Sequence, residues 1–346
     1  MKLSLISPNG DGWSEFISGH PDASVIHNPK WMEFLVSCYG YVPHSLIALD
    51  ETKQILAYLP LLEVSSWLTG HRVIGLPFSD FCAPILSTNI NMSDFIQSLQ
   101  AWRRERKWPY ITIHWPLPVG QEGVYETDRF FRHTTKLAKD PDQVFRNFSK
   151  SQVQRSIGLS EKRGVTVRTG KTWEFMDSYY SLHVQTRKRL GVPAQPLRFF
   201  RLLWERLISQ DLGFILLAYQ ANQLLAGAVF LHDNKTLTYK FGASDSRFWN
   251  LRPNHQIFWR AILWGCENGY DVFDWGRTDI DNPSLCDFKR GWASDEQVLS
   301  YTVLSDRPPL SRIGDGFQKN ILKGAVQRFP LWFCRLVGEL FYVHFA

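Results

Sequence analysis

Apolar positions recur along this chain with two periods, and the period changes at Gly, Pro and Asn. From Trp13 to Tyr39 the spacing predicts two short helices around a break at His27-Asn28-Pro29. Pro29 suits a first helical turn, and Trp31, Phe34 and Leu35 then share a face. Period-two runs follow at 45–49, 55–64 and 72–76, and the polar turn Asp50-Glu51-Thr52-Lys53 makes a hairpin of the first two. Phe78 to Pro84 reads as a loop. Ser93 to Lys107 reads as a helix capped by Ser93, with Phe95, Leu99 and Trp102 on one face. A strand at 110–115, a polar loop at 120–127 and a strand at 131–137 complete the first half.

Residues 141–163 read as one cationic helix carrying Arg146, Lys150, Arg155, Lys162 and Arg163. It marks the junction between halves, either as a solvated linker or as a seat for an anionic substrate. The pattern then restarts: a strand at 165–168, helices at 172–190 and 197–210, and strands at 214–219, 224–232 and 237–243. Pro253 opens a helix to 268, a short strand spans 271–275, and a final strand spans 296–304. Gln54-Ile55-Leu56-Ala57 is echoed by Gln223-Leu224-Leu225-Ala226, each after a strand and a polar turn, which suggests a duplicated domain rather than a solenoid. The expected division is a lobe at 1–148, a lobe at 149–306 and a tail at 307–346, in an α/β (α+β) fold.

The tail has a different pattern. Ile313, Phe317, Ile321, Leu322 and Val326 make an apolar face among Arg312, Lys319, Lys323 and Arg328; Pro330 interrupts it, and Leu331 to Val343 continues it around Arg335 and Glu339. It is too short and too charged to span a bilayer. Two placements remain open: residues 311–346 in contact with the membrane interface, as a peripheral protein of the inner face, or a helix packed on the protein's own surface.

Composition narrows the class. Of 346 residues, 44% are hydrophobic and 14% aromatic, which supplies real cores and excludes a disordered chain. The net charge of +6 favours an anionic partner without choosing one. Five scattered cysteines without a CxxC argue against a disulfide framework or zinc knuckle and fit a reducing cytoplasm. No signal peptide is visible at the first residues. Phosphate-cradling GxxxxGK[ST], strand-borne GxGxxG, HExxH and GxSxG are all absent, so kinase, dehydrogenase, metalloprotease and serine-hydrolase readings lack support, and no metal is expected.

The stretch Tyr270–Ser294 concentrates charge after a short strand: Asp274, Gly276, Arg277, Asp279, Asp281, Phe288, Lys289 and Arg290. A rigid strand that ends at a glycine and hands charged side chains to a loop is a common place to build a site, although a solvated strand end gives the same pattern. Lys240 sits mid-strand beside Tyr239 and needs exposure or a partner, for which Asp271 and Asp274 are candidates. Arg187 and Arg189 follow His183 on a predicted helix and precede Gly191-Val192-Pro193, so the helix delivers guanidinium groups suited to phosphate or carboxylate.

Taken in order, these residues resemble the FemABX-like branch of the GNAT acyltransferase superfamily, a group that also takes in cellulose-biosynthesis-associated acetyltransferases. The resemblance rests on His183, Thr186, Arg187, Arg189, Gly191 and Pro193; on Leu225-Ala226-Gly227; on Tyr239-Lys240-Phe241-Gly242-Ala243; on Pro253; on Phe273-Asp274-Trp275-Gly276-Arg277; and on Phe288-Lys289 before Gly291-Trp292. In the first half it rests on His27-Asn28-Pro29 with Trp31, Tyr58-Leu59-Pro60-Leu61 and Leu76-Pro77-Phe78-Ser79-Asp80. It implies tandem GNAT-like domains, each a mixed sheet flanked by helices, and transfer of an acyl or aminoacyl group to an amine or hydroxyl of a cell-envelope polysaccharide or peptidoglycan precursor.

In aminoacyl-transferring members a Phe-Lys pair near the end of the second lobe contributes to catalysis, and Phe288-Lys289 stands at that place. Lys289 is thereby expected to stabilise the oxyanion, and Asp274 or Asp279 to take the proton. Arg187, Arg189 and Arg277 would hold an anionic donor or acceptor, with His183, Tyr239 and Lys240 shaping the pocket. The inserted helical hairpin of tRNA-using members is not evident between Leu190 and Gly213. The pyrophosphate loop of GNAT enzymes is replaced by Ser246 to Arg252, where Arg247 and Arg252 could still hold phosphate at a helix start. The donor is acyl-CoA or aminoacyl-tRNA, and tRNA is a partner only in the second case. The acceptor is an anionic small molecule or a lipid-linked sugar, and DNA is not expected. The rival readings are an aminoacyl-tRNA-dependent peptidoglycan-type ligase and a non-catalytic binding subunit of a polysaccharide biosynthesis or export assembly.

Overall fold

The computed structural model describes residues 2–6, 13–292, 295–309, 326–328 and 330–345. The chain divides into two units. One comprises Met1–Phe131, Val298–Ser311 and Val343–Ala346, the other Arg132–Gln297 and Arg312–Tyr342.

In the first unit, β1 (Lys2–Ile6) precedes helices α1 (Trp13–Ser18) and α2 (Pro29–Tyr39). Strands β2 (Val42–Leu49), β3 (Ile55–Ser66) and β4 (Gly70–Ile74), the short β5 (Ile85–Leu86), helix α3 (Met92–Glu105) and β6 (Tyr110–Ile113) follow. Strands β1 to β4 pair antiparallel in sequence order. After α3 crosses the sheet, β6 pairs parallel with β4 through Val73↔Ile111 and Ile74↔Thr112. The next neighbour comes from far along the chain: in β13 (Asp295–Ser305), Thr302–Ser305 pair antiparallel with Tyr110–Ile113. Asn91, rather than the expected Ser93, caps α3, accepting from the Ser93 and Asp94 N–H groups. Phe95, Leu99 and Trp102 of α3 pack into a core with Leu46, Leu59, Leu61, Val73 and Ile111.

The second unit repeats this plan. It holds the last residues of β7 (Val124–Lys136), then α4 (Pro141–Arg146), α5 (Arg155–Lys162) and β8 (Val165–Gly170). Helices α6 (Trp173–Leu190) and α7 (Leu197–Arg206) precede strands β9 (Gly213–Gln220), β10 (Gln223–Asp233) and β11 (Thr236–Ser244). Helix α8 (Pro253–Glu267), β12 (Val272–Asp279) and α9 (Pro283–Arg290) follow, and α10 (Leu331–Phe341) lies in the tail. Strands β8 to β11 are antiparallel neighbours in order, and β12 returns parallel to β11 with β7 on its other side. Each unit thus runs strand, two or more helices, three antiparallel strands, a crossing helix and a parallel strand. The hairpins that echo one another in sequence, β2–β3 and β9–β10, occupy the same place in both.

Four further sequence expectations change. The cationic helix at 141–163 is three pieces: α4, a π-helical turn at Lys150–Gln154 begun by Ser149, and α5. β7 starts at Val124, inside the expected loop, because its polar residues alternate with partly buried ones. The helix after Leu197 stops at Arg206, before a 3-10 turn at Ile208–Gln210. β12 continues past Trp275 to Asp279.

Of the tail, Ile313, Phe317, Ile321 and Leu322 lie outside the described residues. Helix α10 packs on its own unit. Arg335 lies over the Tyr180 ring at 5.0 Å, and the Glu339 carboxylate accepts from Leu197 N–H at 3.0 Å, capping α7. Gln327 donates to the Arg189 carbonyl at 2.9 Å, at the end of α6. Among the described residues no helix is long and apolar enough to cross a membrane.

Candidate active site

The parallel pairing of β11 with β12 runs only over Thr236–Thr238 and Val272–Asp274. Beyond Thr238 and Asp274 the strands part, and β11 stays paired with β10 as far as Ser244. This leaves a wedge whose edges carry main-chain groups that the two strands do not exchange. Helix α8 begins beside it, and a small cavity of about 100 Å³ forms among Gly227, Tyr239, Gly242, Ser244, Asn254 and Phe258. A Cβ at Gly242 would meet the Tyr239 hydroxyl, so a larger residue there would displace the Tyr239 ring.

β12 and α9 hold one another through charge. Asp274 is 0% exposed. Its Oδ2 accepts from Arg132 Nε at 2.8 Å and from Arg132 Nη2, and its Oδ1 accepts from Gly276 N–H at 2.7 Å. Gly276 takes a left-handed φ of 68°, which the Asp274 carboxylate fixes and which glycine tolerates best. Lys289 is 3% exposed. Its ammonium donates to three consecutive carbonyls, Trp275 at 2.8 Å, Gly276 at 3.2 Å and Arg277 at 3.2 Å. An ammonium has three protons, so this cage uses all of them. Phe288, the residue before it, packs edge-on with Trp275 and near Phe258, which joins α9 to the wall of the small cavity.

Glu296, at the start of β13, completes this corner. It takes two hydrogen bonds from Arg290, at 2.8 and 3.1 Å, and pairs with His133 Nε2 at 2.6 Å. Arg290 holds the Glu296 carboxyl below its ordinary pKa. Burial, with the charges of Lys289 and Arg290, lowers the His133 pKa against the pull of Glu296.

A larger cavity of about 580 Å³ lies at the end of α6. Gln185, Lys188 and Arg189 form one wall, Ser244 to Arg247 another, and Gln327 and Leu331 of the tail a third. Arg189 stacks over the Trp249 ring at 4.6 Å, and Trp249 Nε1 donates to Ser244 Oγ at 2.9 Å. Ser244 lines both cavities. Thr186 Oγ1 fixes it, accepting from its N–H at 3.0 Å.

The expected site residues therefore fall into separate groups. Arg189 and Arg247 line the larger cavity, and Tyr239 the smaller one. Arg247 is bound to Asp245, whose pKa it lowers. Asp274, Phe288 and Lys289 form the β12–α9 corner, and the Arg277 side chain is exposed beside it. Arg252 is exposed, with a left-handed φ of 58°, immediately before Pro253. Lys240 lies over its neighbour Phe241 at 5.5 Å, while the Asp274 carboxylate goes to Arg132.

His183 and Arg187 belong to neither cavity. His183 is buried between Tyr179 and Gln195, at 2.7 Å from Gln195 Oε1, and burial with the Arg187 charge pushes its pKa down to about 3. Arg187 donates to the Pro193 carbonyl at 3.0 Å and to the Tyr342 hydroxyl at 3.3 Å. Sequence reasoning missed Arg132, His133 and Glu296, although Arg132-His133 inside an alternating strand was a visible signal. It also missed Lys188, Ser244 and Gln327, which no local pattern singles out.

Residues 147–290 match the family model described as "Acetyltransferase (GNAT) domain". A curated relative, the lipid II:glycine glycyltransferase of Staphylococcus saprophyticus, is 25% identical over 111 residues, 30% of this chain. The match spans about a quarter of that relative, 26% of its length. Among solved structures, that of FemX superposes with a TM-score of 0.68 at 15% identity, covering 87% of this chain and 97% of the other. A tandem GNAT protein from the clavulanic acid biosynthesis pathway superposes with a TM-score of 0.55 at 10% identity, covering 89% and 99%. These likenesses establish the tandem fold.

Proposed function

We infer that this chain, whose residues 147–290 match the model of the GNAT acetyltransferase domain and which resembles the FemABX-like branch over both lobes, is an acyltransferase acting on a cell-envelope precursor. The preferred reaction is transfer of an aminoacyl group to an amine of a peptidoglycan-type precursor. The observation that carries this reading is the wedge between β11 and β12, where the β11 edge past Thr238 has no pairing with β12 and can take an extended donor, while the β12 turn is held by Lys289 and Asp274. The relative is by name a glycyltransferase, which favours an aminoacyl donor; aminoacyl-tRNA and acyl-CoA are the two donor classes to test.

In the reaction the acceptor amine attacks the donor carbonyl. A C–N bond forms, the ester or thioester bond breaks, and the amine proton passes by way of a carboxylate base to the departing oxygen or sulfur. Asp279, exposed at the end of β12, suits the role of proton acceptor better than Asp274, which is buried against Arg132. Lys289 acts on the oxyanion through the turn it cages, holding Trp275 to Arg277 at the wedge. Arg189 and Lys188 give the larger cavity its positive charge, Arg247 being paired with Asp245, and Arg189 suits the anionic part of the acceptor. A cytoplasmic location, where both donor classes are made, follows from this reading.

The test is incubation of the purified protein with a muramyl-pentapeptide precursor and either aminoacyl-tRNA or acyl-CoA, read by mass spectrometry. A mass gain matching one donor's acyl group is expected. Arg189→Ala should raise the KM for the acceptor about tenfold with little change in kcat. No transfer from either donor class would overturn the assignment.

A further inference from the structure

Helix α10 has one face settled and one face open. On the settled face Cys334 and Gly338 are buried, Glu339 caps α7 and Arg335 covers Tyr180. Gly338 sits so close to the Ala194 carbonyl that no side chain would fit between them. The helix is therefore held in a fixed orientation. On the other face Trp332, Leu336 and Leu340 are 64%, 45% and 58% exposed. They follow one another at every fourth residue and form a single ridge about 12 Å long. Single exposed apolar residues are ordinary, but a continuous apolar ridge on a fixed helix calls for something to cover it.

We propose that this ridge is a docking surface for a bilayer containing anionic lipid, and that it brings the larger cavity to headgroup level. Three observations select this occupant. First, the sole acidic side chain of α10, Glu339, is turned to the Leu197 N–H, while Lys188 and Arg189 line the cavity that Leu331 of the same helix shares and Arg328 is exposed just before it. From Ser311 to Ala346 the sequence holds five Lys or Arg (Arg312, Lys319, Lys323, Arg328, Arg335) against two acids (Asp315, Glu339). An apolar face in a segment with a basic excess is the pattern that binds anionic membrane surfaces. Second, an exposed Trp heads a ridge of Leu, and indole rings favour the level where headgroups meet acyl chains. Third, Leu331, the neighbour of Trp332, lines the cavity that carries Lys188 and Arg189.

The acceptor is then lipid-linked rather than a free nucleotide-linked precursor, which rests on the reading of that cavity given above. The docking itself is independent of it. A ridge about 12 Å long enters the interface only shallowly, so attachment is reversible and needs both the apolar and the electrostatic contribution.

Co-sedimentation of the full chain with vesicles tests this directly, using phosphatidylcholine alone and phosphatidylcholine mixed with phosphatidylglycerol. Binding is expected to the mixed vesicles and to fall at high salt. A Trp332→Ser, Leu336→Ser double variant should lose at least about tenfold in binding while keeping its thermal midpoint, since both side chains already face solvent. Arg328→Glu should weaken binding to mixed vesicles only. Equal binding by wild type and double variant, or none by wild type, overturns the proposal. So does sedimentation of the wild type as a dimer that the double variant abolishes, which would give the ridge to a second copy of this chain. In the transfer assay the double variant should lose activity on a vesicle-borne precursor and keep it on a soluble one. Vesicle binding without any transfer would retain the docking surface and remove only the acyltransferase reading.

Discussion

At the residue scale, the side chain whose meaning changes most is Lys289. Its place after Phe288 points to direct contact with a reacting oxygen. In the fold its ammonium is spent on the carbonyls of Trp275, Gly276 and Arg277. A buried charge bound this way is costly to remove from one side, because its partners are left without donors. Lys289→Met should therefore lower unfolding stability by roughly 3 kcal/mol, readable as a shifted urea midpoint. An unshifted midpoint would show that the cage contributes nothing. Activity lost in such a variant has to be read beside its folding, because the same substitution loosens the β12 turn. Asp274 teaches the same lesson: a conspicuous acid in sequence serves as the anchor for Arg132 and for the left-handed Gly276.

At the element scale, periodicity located most strands and helices of both units, since each half-buried face writes its period into the sequence. It failed where side chains beyond the element decide. The π-helical turn at Lys150–Gln154 begins where Ser149 N–H bonds to the Gly291 carbonyl, a link between distant parts of the chain that no local pattern carries. β7 read as a loop at Val124 because its polar residues mask the alternation. The tail's own packing hangs on a single small residue. Gly338→Ala would push a methyl group into the Ala194 carbonyl and lift α10 from α6 and α7. The expected cost is roughly 1–3 kcal/mol, with faster proteolysis of the tail as the direct measure; an unchanged cleavage rate would show that the helix can shift without penalty.

At the scale of the whole molecule, buried imidazoles set a lower limit on working pH. Burial comes first among the causes that hold His183 near a pKa of about 3 and His232 and His255 near about 4. In the unfolded chain each would take a proton near pH 6.5. Below about pH 6.5 the unfolded state therefore binds more protons than the folded one, and stability falls as pH falls. Each tenfold rise in proton concentration costs about 1.4 kcal/mol per imidazole until the folded values are reached. Thermal midpoints should decline steadily from about pH 6.5 to about pH 4. A flat profile would mean that these histidines are hydrated in solution.

The tandem plan itself was legible from the echo of Gln54–Ala57 in Gln223–Ala226, because two hairpins with the same turn and the same buried face must share a pattern. What the echo does not reveal is that the first sheet takes its last strand from residues 302–305. A ribosome makes β6 first, then every residue of the second unit up to β13, before that partner exists. Throughout this interval the nascent chain carries an unfinished sheet edge at Tyr110–Ile113, open to strand addition by any neighbouring chain.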